Sequence, residues 1–220
     1  MPAAGSGVRL GPGDPKALRL LAGRSLLFHA VSRLRAAACV ETVIVAVPPG
    51  AEQQIADELS VITVAGGATR QDSVRAALSV LADDVDIVLV HDAARPLAPV
   101  SLIEAVAEAV RAGAPAVVPG IAVDDTVKRV DAEGVVVETP ARESLRAIQT
   151  PQGFRRSVLE RAHAQQPGAT LITDDAGLVE LLGEPVLVIP GAAEAFKITR
   201  PDDLARAEGL LAAEAAGIGP

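Results

Sequence analysis

Short runs of Val and Ile, each cut off by a turn-forming segment, constrain the fold of this chain more than any other feature. Val43–Val47 ends at Pro48-Pro49-Gly50, and Val61–Val64 ends at Ala65-Gly66-Gly67. Ile87–Val90 and Ala116–Val118 repeat the pattern. These runs are nearly continuous rather than alternating, as expected for strands buried on both faces of a parallel sheet. Helical stripes lie between them. Val74, Leu78 and Leu81 recur at i, i+4, i+7. Leu102, Ile103, Val106 and Val110 share one face, closed by Gly113 and Pro115. Strand, helix, strand at this rhythm predicts a three-layer, doubly wound α/β fold.

The rhythm breaks after Val123. Asp124–Gln149 mixes short β-like pieces with charges, and Asp131–Gly134 reads as a hairpin turn. A hairpin inserted in an α/β domain reaches out to something, and a second subunit is the simplest candidate. Regular α/β then resumes, with helices near Arg155–His163 and Asp174–Leu182, a strand at Val186–Ile189, and a last helix from Pro201. Pro201 suits the first turn, and Asp202 and Asp203 suit the positive end of the helix dipole. The Ala- and Gly-rich tail after Leu211 is expected to fray. Residues 1–220 therefore read as one domain, of a size that supports one sizeable core, with an arm at about 124–149.

Composition excludes several function classes. The net charge of −8 disfavours a nucleic-acid coat or an anionic membrane surface. With no Trp or Tyr and three Phe, there is no aromatic platform for single-stranded nucleic acid. One cysteine, Cys39, excludes an internal disulfide and a cysteine-based zinc site. The three histidines form no metal-ligand pair. No uncharged apolar run approaches the roughly 18 residues of a membrane helix, and the opening residues do not read as a secretory leader. A cytoplasmic enzyme is expected.

Four segments carry chemistry. Pro2–Gly11 (PAAGSGVRLG), followed by Asp14-Pro15-Lys16, combines glycines that let backbone N–H groups approach phosphate oxygens with the charges of Arg9 and Lys16. Gly5 and Gly7 open the turn. It is not a Walker loop, because Gly-Lys-Ser/Thr is missing, and Leu10 stands where a dinucleotide fingerprint needs its third glycine. His91–Pro96 follows a strand end, where ligands of open α/β sheets bind. Asp92 can also cap the coming turn, and His91 reads as a satisfied core or loop histidine. In Gly66–Val74, Ser73 or Asp72 can simply cap the next helix. Lys197, in Phe196–Pro201, can be a snorkelling surface lysine.

Taken together, these segments resemble the 2-C-methyl-D-erythritol 4-phosphate cytidylyltransferase family of the non-mevalonate isoprenoid pathway. The resemblance runs nearly end to end, through PAAGSGVRLG with PKAL, GGATRQDSV, VHDAARP, DDTVKR, TPQGF, TDDAGLVE and FKITRPDDL. It implies a Rossmann-like domain with a protruding β-arm that interlocks in a homodimer. It also implies transfer of CMP from CTP to methylerythritol phosphate. By position, Arg9 and Lys16 match the pair that stabilises the pentavalent transition state, and Arg142 matches the arm arginine donated to the partner's acceptor site. Lys197 matches the lysine that orients the acceptor phosphate, and Thr126 and Thr173 match further substrate contacts. Ala3, Ala4, Gly67 and Ser73 match positions around the cytosine, while Asp92 and Arg95 match positions near the ribose and the acceptor.

The resemblance is consistent with elementary chemistry. A phosphate monoester, with a second pKa of about 6, is already a largely ionised nucleophile. No general base is needed. Fixed cations, with Mg²⁺ carried mainly by the CTP phosphates, bring two polyanions together. The chain departs from the family at Met1-Pro2, where relatives carry several apolar residues of a first central strand. That strand is expected to be very short, or the recorded start late. Ala195 and Gly177 replace a common Asn and Ser without removing a charge. A ribitol-5-phosphate or other sugar-phosphate cytidylyltransferase is the nearest alternative, and Asp72-Ser73 with the complete TDDA segment favours methylerythritol phosphate. A nicotinamide-dependent oxidoreductase and an inactive nucleotide-binding module are more distant alternatives.

Overall fold

Apolar runs too short for helices pack as strands, and the longer amphipathic stripes close over them. The computed structural model describes residues 1–5, 15–165 and 172–217. In chain order it contains β1 (Leu20–Leu21), β2 (Arg24–Ser25), α1 (Leu26–Ala36), β3 (Ile44–Val47), α2 (Glu52–Leu59) and β4 (Ile62–Ala65). Next come α3 (Arg70–Leu78), β5 (Ile87–Val90), α4 (Val100–Arg111) and β6 (Ala116–Ala122). The protruding segment holds β7 (Arg129–Val130), β8 (Val136–Glu138) and β9 (Arg146–Ile148). The chain ends with β10 (Gln152–Arg155), α5 (Arg156–Ala164), α6 (Asp175–Leu181), β11 (Val186–Pro190) and α7 (Pro201–Ala215).

Three layers follow from the pleat. Successive residues of a strand point to opposite faces. In β6, Ala116 and Val118 pack with Phe154, Leu159 and Val179 of β10, α5 and α6. Val117 between them packs instead with Val106 and Val110 of α4. In β5, Val88 and Val90 join the first cluster while Ile87 and Leu89 join the second. Helices therefore cover both faces, as expected. A further cluster joins α1, β3 and α2 through Leu27, Val31, Val45, Val47 and Ile55.

The sheet is mixed, which corrects the expected parallel order. β3 pairs parallel with β4, and β11 parallel with β6. β10, however, inserts antiparallel between β5 and β6, and β9 runs antiparallel to β6. The chain leaving the arm re-enters the sheet against the direction of its neighbours. Gly153 makes room for this insertion, since a Cβ there would lie 2.6 Å from Val106 Cγ1. The expectation of strands buried on both faces also fails at β4 and β11, where Ile62 and Leu187 are each 48% exposed. α3 ends at Leu78, so Leu81 packs from beyond the helix. α7 runs past Leu211 to Ala215, where fraying was expected. Its start is fixed by Asp203, whose Oδ2 accepts the Thr199 and Arg200 N–H groups at 2.7 and 2.8 Å.

Met1–Ala3 lies along β3. The Met1 amino group donates to Ile44 O at 2.7 Å, Ala46 N–H to Met1 O at 2.9 Å, and Ala3 N–H to Ala46 O at 2.7 Å. This pairing, with one parallel bridge between Pro2 and Ala46, occupies the place of the expected first strand without forming a full one. Beside it, an apolar cavity of about 330 Å³ is walled by Ile44, Val74, Leu78, Ile87 and Leu89.

The hairpin turn stands where the sequence puts it. Asp131 Oδ1 accepts the N–H groups of Glu133 and Val135 at 3.1 and 2.8 Å, and Gly134 adopts φ +85°, a region that favours glycine. Val130, Val135, Val136 and Val137 are all more than half exposed. An isolated two-stranded ribbon with this much bare apolar surface is at best marginally stable in water.

Candidate active site

Four segments of the frame turn toward one cleft. The cleft, of about 440 Å³, is lined by Pro2–Gly5, Lys16 and Ala17, Gly67–Arg70 with Ser73, Asp92–Ala94, Lys197 and Thr199. These come from the N-terminal stretch, the β4–α3 connection, the loop after β5, and the segment before α7. Arg9 and Gly7 lie outside the described residues. The two ends of their loop are joined, because Lys16 N–H donates to Gly5 O at 3.3 Å.

The β4–α3 connection is shaped by close packing. A Cβ on Gly66 would lie 2.5 Å from Ala4 Cβ, and one on Gly67 would collide with Asp72 Cβ. Helix α3 is capped by Thr69, not by Asp72 or Ser73 alone. Thr69 Oγ1 accepts from Asp72 N–H at 3.0 Å, and Asp72 Oδ2 accepts from Thr69 N–H at 3.0 Å. This leaves Ser73 for another task. Its buried hydroxyl accepts the Gly67 N–H at 3.1 Å and donates to Thr69 O at 3.0 Å, fixing the cleft wall.

Asp92 sits at the centre. Its Oδ2 accepts from Lys197 Nζ at 2.7 Å, and its Oδ1 accepts from Arg70 Nε at 3.3 Å. Burial alone would raise the Asp92 pKa, but the Arg70 and Lys197 charges outweigh it and hold the carboxyl well below the usual range. Lys197 is thus a cleft residue, not a snorkelling one. Three cations, Lys16, Arg70 and Lys197, share the described lining with the single carboxylate of Asp92. Positive charge is concentrated here in a chain of net charge −8. Among the described residues, no three His, Cys, Asp or Glu side chains cluster to hold a metal ion.

The loop beneath Asp92 is held by neutral groups. Asp92 N–H donates to Thr150 Oγ1 at 3.0 Å, Thr150 pairs with His91 Nδ1 at 3.1 Å, and His91 Nε2 meets Arg95 O at 3.1 Å. The partners assign the proton to Nε2, with Nδ1 accepting from the Thr150 hydroxyl. His91 is therefore the satisfied core histidine expected of it. Arg95 turns away from the cleft, and its guanidinium donates to Ala195 O at 2.7 Å and Ile148 O at 3.1 Å.

Arg142, Thr126 and Thr173 are exposed and do not line the cleft of their own chain. Arg142 Nη1 donates to Asp124 O at 2.8 Å within the arm. Sequence reasoning passed over Arg70, although it lies inside the GGATRQDSV segment. It also passed over Asp175 and His163, which hold Arg70 from behind. An arginine at the first position of a helix that follows a glycine pair was the available signal.

Comparison with known proteins identifies the family and the fold. The family model described as 2-C-methyl-D-erythritol 4-phosphate cytidylyltransferase matches residues 1–213. A protein of that name from Frankia casuarinae is 58% identical over 214 residues, covering 96% of this chain and 80% of the relative. One from Streptomyces avermitilis is 51% identical over 227 residues, covering 96% and 90%. The crystal structure of the enzyme of that name from Thermus thermophilus superposes with a TM-score of 0.80 at 41% identity, covering 94% and 95%.

The neutral His91 generates a pH prediction. Burial pushes its pKa down from 6.5 to about 4. Above pH 6.5 the ring is neutral in both folded and unfolded chains, and its full contribution is present. As the pH falls from 6.5 toward 4, the unfolded chain takes a proton that the folded chain refuses, so stability is lost. The loss should reach about 3 kcal/mol near pH 4. Urea unfolding at several pH values should show this slope in the wild type and a flatter one in His91→Gln. Equal slopes would contradict a buried neutral ring.

Proposed function

The chain belongs to the 2-C-methyl-D-erythritol 4-phosphate cytidylyltransferase family and is a nucleotidyltransferase that acts on CTP and methylerythritol phosphate; we propose the division of labour within its cleft that follows. The observation that carries the proposal is the concentration of Lys16, Arg70 and Lys197 around one buried carboxylate beside a glycine-rich N-terminal segment.

A phosphate oxygen of methylerythritol phosphate attacks the α-phosphorus of CTP. One P–O bond forms, the bond to the bridging oxygen breaks, and pyrophosphate leaves. Lys16 and Arg9 stabilise the charge that builds on the equatorial oxygens, an effect that is large where donors are already in place. Lys197 orients the acceptor phosphate. Gly5 and Gly7 offer backbone N–H groups to the triphosphate. Ala3, Ala4, Gly67 and Ser73 form a small-sided wall for the cytosine. Asp92 holds the ribose and acceptor side of the cleft, and Arg95 supports that loop from behind. The donor set fits Mg²⁺ carried by phosphate oxygens and water, which would neutralise the triphosphate. No helix among the described residues is long and apolar enough to cross a membrane, and we assign the enzyme to the cytoplasm.

The chain forms one domain, residues 1–220, whose arm at about 124–149 completes the site of a twin subunit in a homodimer. Exposure of Val130, Val135, Val136 and Val137 supports this reading, because such a ribbon needs a surface to pack on. In that arrangement Arg142 serves the partner's acceptor phosphate, and Thr126 and Thr173 supply further substrate contacts.

Pyrophosphate release with each of the four nucleoside triphosphates tests the nucleotide assignment. CTP should exceed ATP and GTP by about a hundredfold in kcat/KM, and equal turnover with ATP would overturn it. Subunit mixing tests the shared site. Arg142→Ala and Lys16→Ala should each be nearly inactive alone. After exchange, about half the dimers are mixed and each carries one intact site, so about a quarter of wild-type activity should return. No recovery after verified exchange would mean that Arg142 works within its own subunit or not at all.

A further inference from the structure

Behind the cleft, a chain of alternating charges runs into the core. Lys197 and Arg70 flank Asp92 at the cleft. From Arg70 the chain continues inward, Nη1 donating to Asp175 Oδ2 at 2.6 Å. The other oxygen of Asp175, Oδ1, lies 2.9 Å from His163 Nε2. Asp175 is wholly buried and His163 nearly so, and neither lines the cleft. Each member comes from a different part of the fold: α5, the start of α6, the start of α3, the loop after β5, and the segment before α7.

Asp175 is itself held firmly. Gln152 of β10 donates from Nε2 to Asp174 Oδ2 at 2.7 Å and accepts the Ala176 N–H on Oε1 at 3.2 Å. Asp174 caps α6 by accepting the Gly177 N–H at 3.0 Å. One glutamine thus clamps the residues on either side of Asp175. The carboxyl of Asp175 stays ionised despite burial, which alone would raise its pKa, because His163 and Arg70 hold it down.

A buried ion pair is a weak contributor to stability compared with apolar packing of the same volume. The network has a sharper use at its other end. A lysine ammonium is a point charge on a flexible stem, with little orientation of its own. The Lys197 side chain is 38% exposed, and Asp92 ties its ammonium down. Asp92 is in turn oriented by Arg70, whose planar fork spans two carboxylates only if Asp175 fixes its far end. We propose that His163 and Asp175 are positioning residues, acting through Arg70 and Asp92 to set the Lys197 ammonium for the acceptor phosphate. This rests on the assignment of Lys197 to that phosphate.

Steady-state kinetics on three variants test it, with Lys197→Ala as reference. His163→Leu removes the partner of Asp175 Oδ1, and His163→Gln keeps a donor there. Asp175→Asn keeps the shape but removes the charge that anchors Arg70. His163→Leu and Asp175→Asn should lower kcat/KM for methylerythritol phosphate about tenfold. The KM for CTP should stay within about twofold of wild type, and His163→Gln should recover most of the loss. If His163→Leu does not fold by circular dichroism, the isosteric Asp175→Asn decides. Unchanged kinetics in folded variants, or a parallel loss of CTP and acceptor use, would reduce the network to a structural staple. If Lys197→Ala itself leaves acceptor use intact, the assignment of Lys197 fails instead, and the two failures are told apart.

Discussion

A single buried carboxylate between two cations organises this protein's cleft. Asp92 accepts from Arg70 on one oxygen and from Lys197 on the other. Arg70 is also held from behind by Asp175, but Lys197, on a long flexible stem, could otherwise swing out to meet solvent or phosphate. A carboxylate in an anion-binding cleft reduces the net attraction for substrate. Its benefit is orientation. Catalysis depends on charge being in place before the transition state forms, and placement can matter more than total charge.

The fold exists around that point. Asp92 follows β5, so its backbone is fixed by a strand paired with β10. Its N–H is held by Thr150, which leads into β10, the antiparallel strand beside β5. Lys197 comes from the segment just before α7, where Ile198 N–H donates to Ala94 O at 2.8 Å. Arg70 starts α3, behind the Thr69–Asp72 capping box. Each charged tip is thus borne on backbone that has other reasons to be where it is. The arm is the exception: its apolar surface has no cover among the described residues, which supports the proposed second subunit.

Much of this was legible in the sequence, for physical reasons that can be named. Ile87–Val90 and Val186–Pro190 are runs too short and too branched for helices, and their places were readable to within a residue. Asp131 and Gly134 announce a turn because one accepts backbone N–H groups locally and the other takes positive φ. Gln152–Arg155 was not readable. A central strand of Gln, Gly, Phe and Arg has no apolar run, and it holds its place through neighbours distant in sequence. The same limit applies to the site. Lys16, Asp92, Lys197 and the glycines sit in recognisable segments, and the structure brings their described members to one cleft. Arg95 shared such a segment yet points to backbone carbonyls. Asp175 and His163 are twelve residues apart, and nothing in their local sequence says that they meet, still less that Arg70 meets them.

In the proposed division of labour Asp92 acts by orienting cations, although its charge opposes substrate binding. Replacement by asparagine separates the two effects, because Asp92→Asn makes the cleft more positive while loosening the hold on Lys197, with Arg70 still paired to Asp175. Steady-state pyrophosphate release, with folding verified by thermal melting, is the most direct measurement. Asp92→Asn should lower kcat/KM for methylerythritol phosphate about a hundredfold, with the KM for CTP no higher than in the wild type. A variant as active as the wild type, or faster, would show that net charge governs the cleft and that the clamp on Lys197 is dispensable.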